Sequence, residues 1–101
     1  MSIMSARTNL MSDDYLKSYV SSVAKKVKEL NSLLEVNSLP ILGCTVDSIL
    51  VYSEEDFLRI ADLFNLKITK KEMPENFSYK YSFQVLCCGV VFRIFTDEEL
   101  I

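Results

Sequence analysis

Two periodicities alternate along the chain and divide it into elements. From Ser12 onward, Leu16, Val20, Val23, Val27, Leu30 and Leu34 recur at spacings of four and three, the repeat that puts apolar residues on one stripe of an α-helix. Ser12 is an N-cap residue type, and Asp13 and Asp14 then fall in the first turn, where negative charge favours the positive end of the helix dipole. Tyr19, Ala24 and Leu33 widen the stripe, which suits a helix lying on a sheet. A strict seam of the six would instead pair two such helices in a homodimer, so the pattern leaves two uses open. Asn37, Ser38 and Pro40 end the helix, because proline lacks the amide a continuing helix needs.

The next segment, ILGCTVDSILVYS, is rich in β-branched and large apolar residues and predicts strand. It either folds into a hairpin at Asp47 and Ser48 or runs as one long strand bent where Gly43 or Asp47 interrupts it. Ser53 followed by Glu54, Glu55 and Asp56 gives the S-x-x-D form of a helix start. Phe57, Ile60, Ala61 and Phe64 define one face of that helix, and Asn65 suits the left-handed residue that closes it. Leu66 and Ile68 alternate with Lys67 and Thr69, which predicts a short half-buried strand running parallel to the one ending at Tyr52. KKEMPENFS reads as a loop, with Pro74 and Asn76 as breakers.

The strongest strand signal is YKYSFQVLCCGVVFRIFT, residues 79–96. A two-residue turn at Cys88 and Gly89 pairs Cys87 with Val90, Val85 with Phe92, Phe83 with Ile94 and Tyr81 with Thr96, all on one face. The other face carries Lys80, Ser82, Gln84, Leu86, Val91, Arg93 and Phe95, with Gln84 opposite Arg93. One nearly apolar face and one mixed face are what a sheet covered by helices on one side requires. The predicted architecture is therefore α+β: a long N-terminal helix and a short second helix packed on a small mixed, mainly antiparallel sheet that ends in a C-terminal β-hairpin. Residues 1–11 show no period and read as an N-terminal arm, leaving 12–101 as a single domain.

Composition narrows function more than fold. The chain has 101 residues, half of them apolar and 25% charged, with two glycines and two prolines, a balance that belongs to folded globular chains. A formal charge of −3 argues against direct nucleic-acid binding by phosphate neutralisation. No apolar run approaches the roughly 20 residues of a membrane span, and the N-terminus lacks the basic head and apolar core of a signal peptide, so a cytoplasmic protein is expected. Three cysteines, an odd number, then point to reduced thiols.

The chain contains no histidine, the commonest general base and metal ligand near neutral pH. Cys87 faces the predicted core, where its thiol resists ionisation, and Cys44 sits in an apolar strand. The spacing of Cys44, Cys87 and Cys88 matches no zinc site of recognised type, and two isolated glycines build no phosphate loop. No catalytic residue, cofactor or metal is expected. The remaining candidate surface is acidic: Glu54, Glu55 and Asp56 at one helix start, and Asp97, Glu98 and Glu99 at the C-terminus. Grouped in space, these would imitate the phosphate pattern of nucleic acid toward a basic groove on a partner. Exposed Tyr15, Tyr79 or Phe95 would add aromatic anchors of the kind interfaces favour.

In small size, acidity and the hairpin YKYSFQVLCCGVVFRIF closed by TDEEL, the chain resembles the small accessory proteins of phages and mobile elements in Gram-positive bacteria, the anti-CRISPR proteins among them. That resemblance implies a non-catalytic inhibitor or modulator, binding stoichiometrically to a larger protein such as a host-defence nuclease in the bacterial cytoplasm. The alternative expectation is a structural or regulatory homodimer joined through Leu16, Val20, Val23, Val27, Leu30 and Leu34. A third, a small enzyme or thiol redox protein, would depend on Cys87 or Cys88.

Overall fold

The computed structural model describes residues 11–36, 39–40 and 46–100. In chain order its elements are helix α1 (Asp13–Leu34), strands β1 (Glu35–Val36), β2 (Leu39–Pro40) and β3 (Ser48–Leu50), helix α2 (Glu54–Leu63), and strands β4 (Thr69–Glu72), β5 (Tyr81–Cys87) and β6 (Val90–Thr96). The α+β architecture is the one the periodicities predict.

Both helices start where their caps stand. The Ser12 hydroxyl accepts from the Tyr15 amide at 3.1 Å, and the Ser53 hydroxyl accepts from the Asp56 amide at 3.4 Å. Each bond satisfies an amide that the first turn leaves without a helical partner. Helix α2 closes as expected at Asn65, whose φ of 51° is left-handed. The Asn65 amide donates to the Asp62 carbonyl and the Leu66 amide reaches back to Ala61, the paired bonds of a Schellman ending. Helix α1 ends at Leu34, ahead of the expected breakers: Glu35 is already extended, with φ −107° and ψ 131°, and opens a short antiparallel ribbon between β1 and β2. Asn37, Ser38, Gly43 and Cys44 lie outside the described residues.

The four-stranded sheet has the order β3-β6-β5-β4. The β5–β6 hairpin pairs in the predicted register throughout, from Cys87 with Val90 to Tyr81 with Thr96. Cys88 and Gly89 both have positive φ, 52° and 79°, as the type I′ turn of a two-residue hairpin needs. Strand β3 runs parallel to β6, and β4 antiparallel to β5. Strand β4 runs in the same direction as β3, as expected, with β5 and β6 between them. Leu66 and Ile68 are not strand; they are the half-buried connection that packs on the core, and β4 itself is an exposed edge. Ser48 is the first residue of β3 and Asp47 precedes it in coil, while the chain before Val46 that would form the other arm of a hairpin lies outside the described residues.

Both helices cover the same face of the sheet. Leu16, Val20 and Ala24 of α1 and Phe57, Ile60 and Ala61 of α2 bury against Phe83, Val85, Cys87, Val90, Phe92 and Ile94. Burial of each large side chain contributes about 1.5–3 kcal/mol before chain entropy is subtracted. Asn31 ties α1 to the start of the β3 segment: its side-chain amide donates to the Val46 carbonyl at 3.0 Å and its oxygen accepts from the Val46 amide at 2.8 Å. Arg59, midway along α2, ties that helix to the start of α1, donating to the Met11 carbonyl and to the Asp13 carboxylate at 3.1 Å. Met11, the last residue of the expected arm, packs against the core.

Candidate functional site

The parallel pairing of β3 with β6 decides where the acidic residues go. Parallel neighbours finish at the same end of a sheet, so the start of α2, which follows β3, and the tail that follows β6 share one end. The loop between β4 and β5 opens at that end as well, because Glu72 pairs with Tyr81 and Tyr81 pairs with Thr96. Glu54, Glu55, Asp97, Glu98 and Glu99 are all exposed there. Asp56 is not: it is 3% exposed, inside the first turn of α2, so its carboxylate is no part of an exposed acidic surface. The S-x-x-D pattern that marked it as a candidate is satisfied by its role in the helix start.

The tail is held rather than splayed. The Thr96 hydroxyl donates to the Glu98 carbonyl at 2.6 Å, and Glu99 accepts from Lys70 of β4 at 2.6 Å. The Lys70 ammonium also stands 4.8 Å from the centre of the Tyr81 ring. The hydrogen bond from Lys70, followed by its charge, holds the Glu99 carboxyl below the usual carboxylate range. The same bond raises the Lys70 ammonium above its ordinary value. Of the three tail carboxylates, Glu99 is thus partly neutralised, while Asp97 and Glu98 carry the outward charge.

Beside this rim lies an aromatic cluster. Phe95 points to the sheet face that the helices leave uncovered, and the β4–β5 loop folds onto it: Phe77 at 5.3 Å, tilted, and Tyr79 at 6.1 Å, stacked. Both loop rings stay substantially exposed, whereas Phe95 is half-buried beneath them. The loop bends over a shallow groove of about 420 Å³ lined by Glu72, Glu75, Phe77, Tyr79 and Lys80. Tyr15, the third aromatic candidate, is exposed on α1, away from this cluster. Sequence periodicity missed Phe77, Glu72 and Glu75, which sit in or beside an aperiodic loop. Their signal was only the FSY run following Pro74.

The candidate dimer seam is divided by the fold. Leu16 and Val20 are spent in the chain's own core, and Val27 packs against it half-buried. Val23 and Leu34 are half-buried, and Leu30 is exposed. The six residues therefore do not form one free stripe.

The thiols are placed as the register predicts, with one addition. Cys87 is fully buried, and its thiol is pushed up to about 12, chiefly by burial and next by its bond with Cys88. Cys88 is exposed at the turn, its sulfur 3.8 Å from that of Cys87 and 3.8 Å from the Ser21 hydroxyl. The left-handed backbone at Cys88 swings its side chain toward its neighbour, where a continuing strand would have separated the two. Among the described residues, no group of three or more His, Cys, Asp or Glu side chains is placed to hold a metal ion, and no helix is long and apolar enough to cross a membrane.

No protein-family model matches the chain, and no curated protein or solved structure matches it significantly.

Proposed function

We propose that this chain is a non-catalytic binding protein that inhibits or modulates a larger protein by stoichiometric contact. The carrying observation is the convergence at one sheet end of the exposed carboxylates Glu54, Glu55, Asp97 and Glu98 with the exposed rings of Phe77 and Tyr79. Acidic groups around a rigid aromatic patch combine long-range steering with a desolvated anchor. A basic groove that ordinarily holds nucleic acid is the complementary surface, so the partner class is a nucleic-acid enzyme such as a host-defence nuclease. On this reading the chain works in the cytoplasm of a bacterial host, as a phage or mobile-element accessory protein of the anti-CRISPR kind would.

The test is a pull-down with the tagged chain from a bacterial lysate, mass spectrometry of what is retained, and a titration of the purified partner. The combined variant Glu54→Gln, Glu55→Gln, Asp97→Asn, Glu98→Gln should weaken the complex about tenfold or more, as should Tyr79→Ala, since central aromatic contacts dominate interface energy. Undiminished binding by both variants would show that the partner docks elsewhere.

A further inference from the structure

Adjacent cysteines in an extended strand point to opposite faces, but the β5–β6 turn brings Cys87 and Cys88 together. Cys87 is the last residue of β5, and the left-handed backbone of Cys88 turns its side chain back, so that the Cys87 thiol donates to the Cys88 sulfur at 3.8 Å. The two differ in access. Cys87 is fully buried among the core residues, while Cys88 is exposed at the turn and meets the Ser21 hydroxyl of α1 at 3.8 Å. The Lys28 side chain of α1 crosses the same turn, its ammonium nitrogen 2.7 Å from the place a β-carbon on Gly89 would take. A cation beside an exposed thiol favours the thiolate, the form that reacts with oxidants. Burial keeps Cys87 protonated and closes it to solvent, so Cys88 is the thiol within its reach. An accessible thiol beside a cation, backed by a second thiol, is the arrangement of a redox-sensing pair.

We infer that Cys87 and Cys88 form a reversible disulfide in response to a hydroperoxide, with Cys88 as the attacking thiol and Cys87 as the resolving one. The Cys88 thiolate attacks one oxygen of hydrogen peroxide: an S–O bond forms, the O–O bond breaks, and the departing hydroxide takes up the proton the thiol released. Cys88 is thereby oxidised to the sulfenic acid and the peroxide reduced to water. Cys87 then attacks the Cys88 sulfur, the S–S bond forms as the S–O bond breaks, and hydroxide leaves as water with the Cys87 proton. Two thiols and one peroxide give one disulfide and two waters. Two equivalents of a small thiol reverse the bond by exchange and leave as their own disulfide. Consecutive α-carbons lie about 3.8 Å apart, closer than the roughly 4.4–6.8 Å an unstrained disulfide spans, so the bond is readily reduced. Closing it draws the Cys87 sulfur from the core and Cys88 from Ser21, while so small a ring removes little entropy from the unfolded chain. Oxidation therefore loosens the turn end of the hairpin from α1. That end lies opposite the acidic rim, so the pair is independent of the proposed complex and is tested on the full chain alone.

The purified chain, reduced and then freed of reductant, is treated with hydrogen peroxide and followed by intact mass and by peptide mapping without reduction. The expected product is a single chain lighter by two hydrogens, whose peptide holding residues 87 and 88 takes up iodoacetamide only after dithiothreitol is added. Cys87→Ala should instead stop at the sulfenic acid, trapped at Cys88 as an adduct of dimedone, and Cys88→Ser should leave Cys87 unoxidised. The oxidised native chain should unfold at a lower urea midpoint than the reduced one and recover in dithiothreitol. A bond from Cys88 to Cys44 or to a second chain, or a sulfinic acid at Cys88 beside an unmodified Cys87, would overturn the pairing. Equal urea midpoints for the oxidised and reduced chains would overturn its effect on the turn.

Discussion

At the β5–β6 turn the backbone demands of Cys88 a conformation that its side chain resists. A φ of 52° places the Cβ against the carbonyl oxygen and costs a non-glycine residue about 1–2 kcal/mol, a cost that asparagine reduces. Cys88→Asn creates the Asn-Gly pair this turn favours, and should raise stability by about 0.5–1 kcal/mol in urea unfolding. A lower midpoint would show that the Cys88 contact with Ser21 outweighs the strain. Gly89 allows no such replacement, since its φ of 79° lies in the left-handed region where a β-carbon is strained. At the neighbouring position, folding holds the Cys87 thiol protonated to about pH 12, against an ordinary value of 9.0. Between those values the unfolded chain has released this proton and the folded chain has kept it, so stability falls as pH rises. The advantage of the native chain over Cys87→Ala should be complete below pH 9 and shrink steadily above it. Parallel urea midpoints from pH 8 to 11 measure this, and a constant difference would mean that the buried thiol does not titrate with unfolding.

Elements differ in how locally they are specified, and the caps make the point measurable. Ser53 is buried where Ser12 is exposed, so water can replace the hydroxyl of Ser12 more readily than that of Ser53. Ser53→Ala should cost about 1–2 kcal/mol and Ser12→Ala less, both read by thermal or urea unfolding; equal losses would deny the role of burial. The hairpin was legible for a related reason: a period of two fixes the face of every side chain once Cys88 and Gly89 are taken as the turn. Strand β4 was not. Its residues, TKKE, are all exposed and carry no apolar alternation, while the alternation just before it belongs to a connection that packs without pairing. Lysines on such an edge discourage pairing with another chain, and they also remove the pattern that would have revealed the strand.

On the scale of the whole molecule, one topological fact organises the candidate site. Because β3 lies beside β6, carboxylates from segments more than 40 positions apart meet at one end of the sheet, next to rings supplied by the β4–β5 loop. If that charge steers the proposed complex, its association rate should fall steeply as salt rises from about 0.1 to 1 M, where the screening length drops from about 10 to 3 Å. Dissociation, governed by the Phe77 and Tyr79 contacts, should change much less. Stopped-flow measurements with the purified partner separate the two rates.

The features that the sequence by itself determined are those set within a few residues: the Ser12 and Ser53 caps, the Asn65 ending, the Cys88-Gly89 turn, the hairpin register and the inward face of Cys87. Capping, turn geometry and strand alternation act over one to four positions, and a linear pattern records them directly. Tertiary structure alone decided that β3 neighbours β6, that Asp56 is buried while Glu54 and Glu55 are not, that Phe77 and Tyr79 close over Phe95, and that the stripe of α1 is shared between a core and a free face. Each of these depends on which distant surfaces exclude water together, and periodicity along a chain carries no information about what will be packed against it.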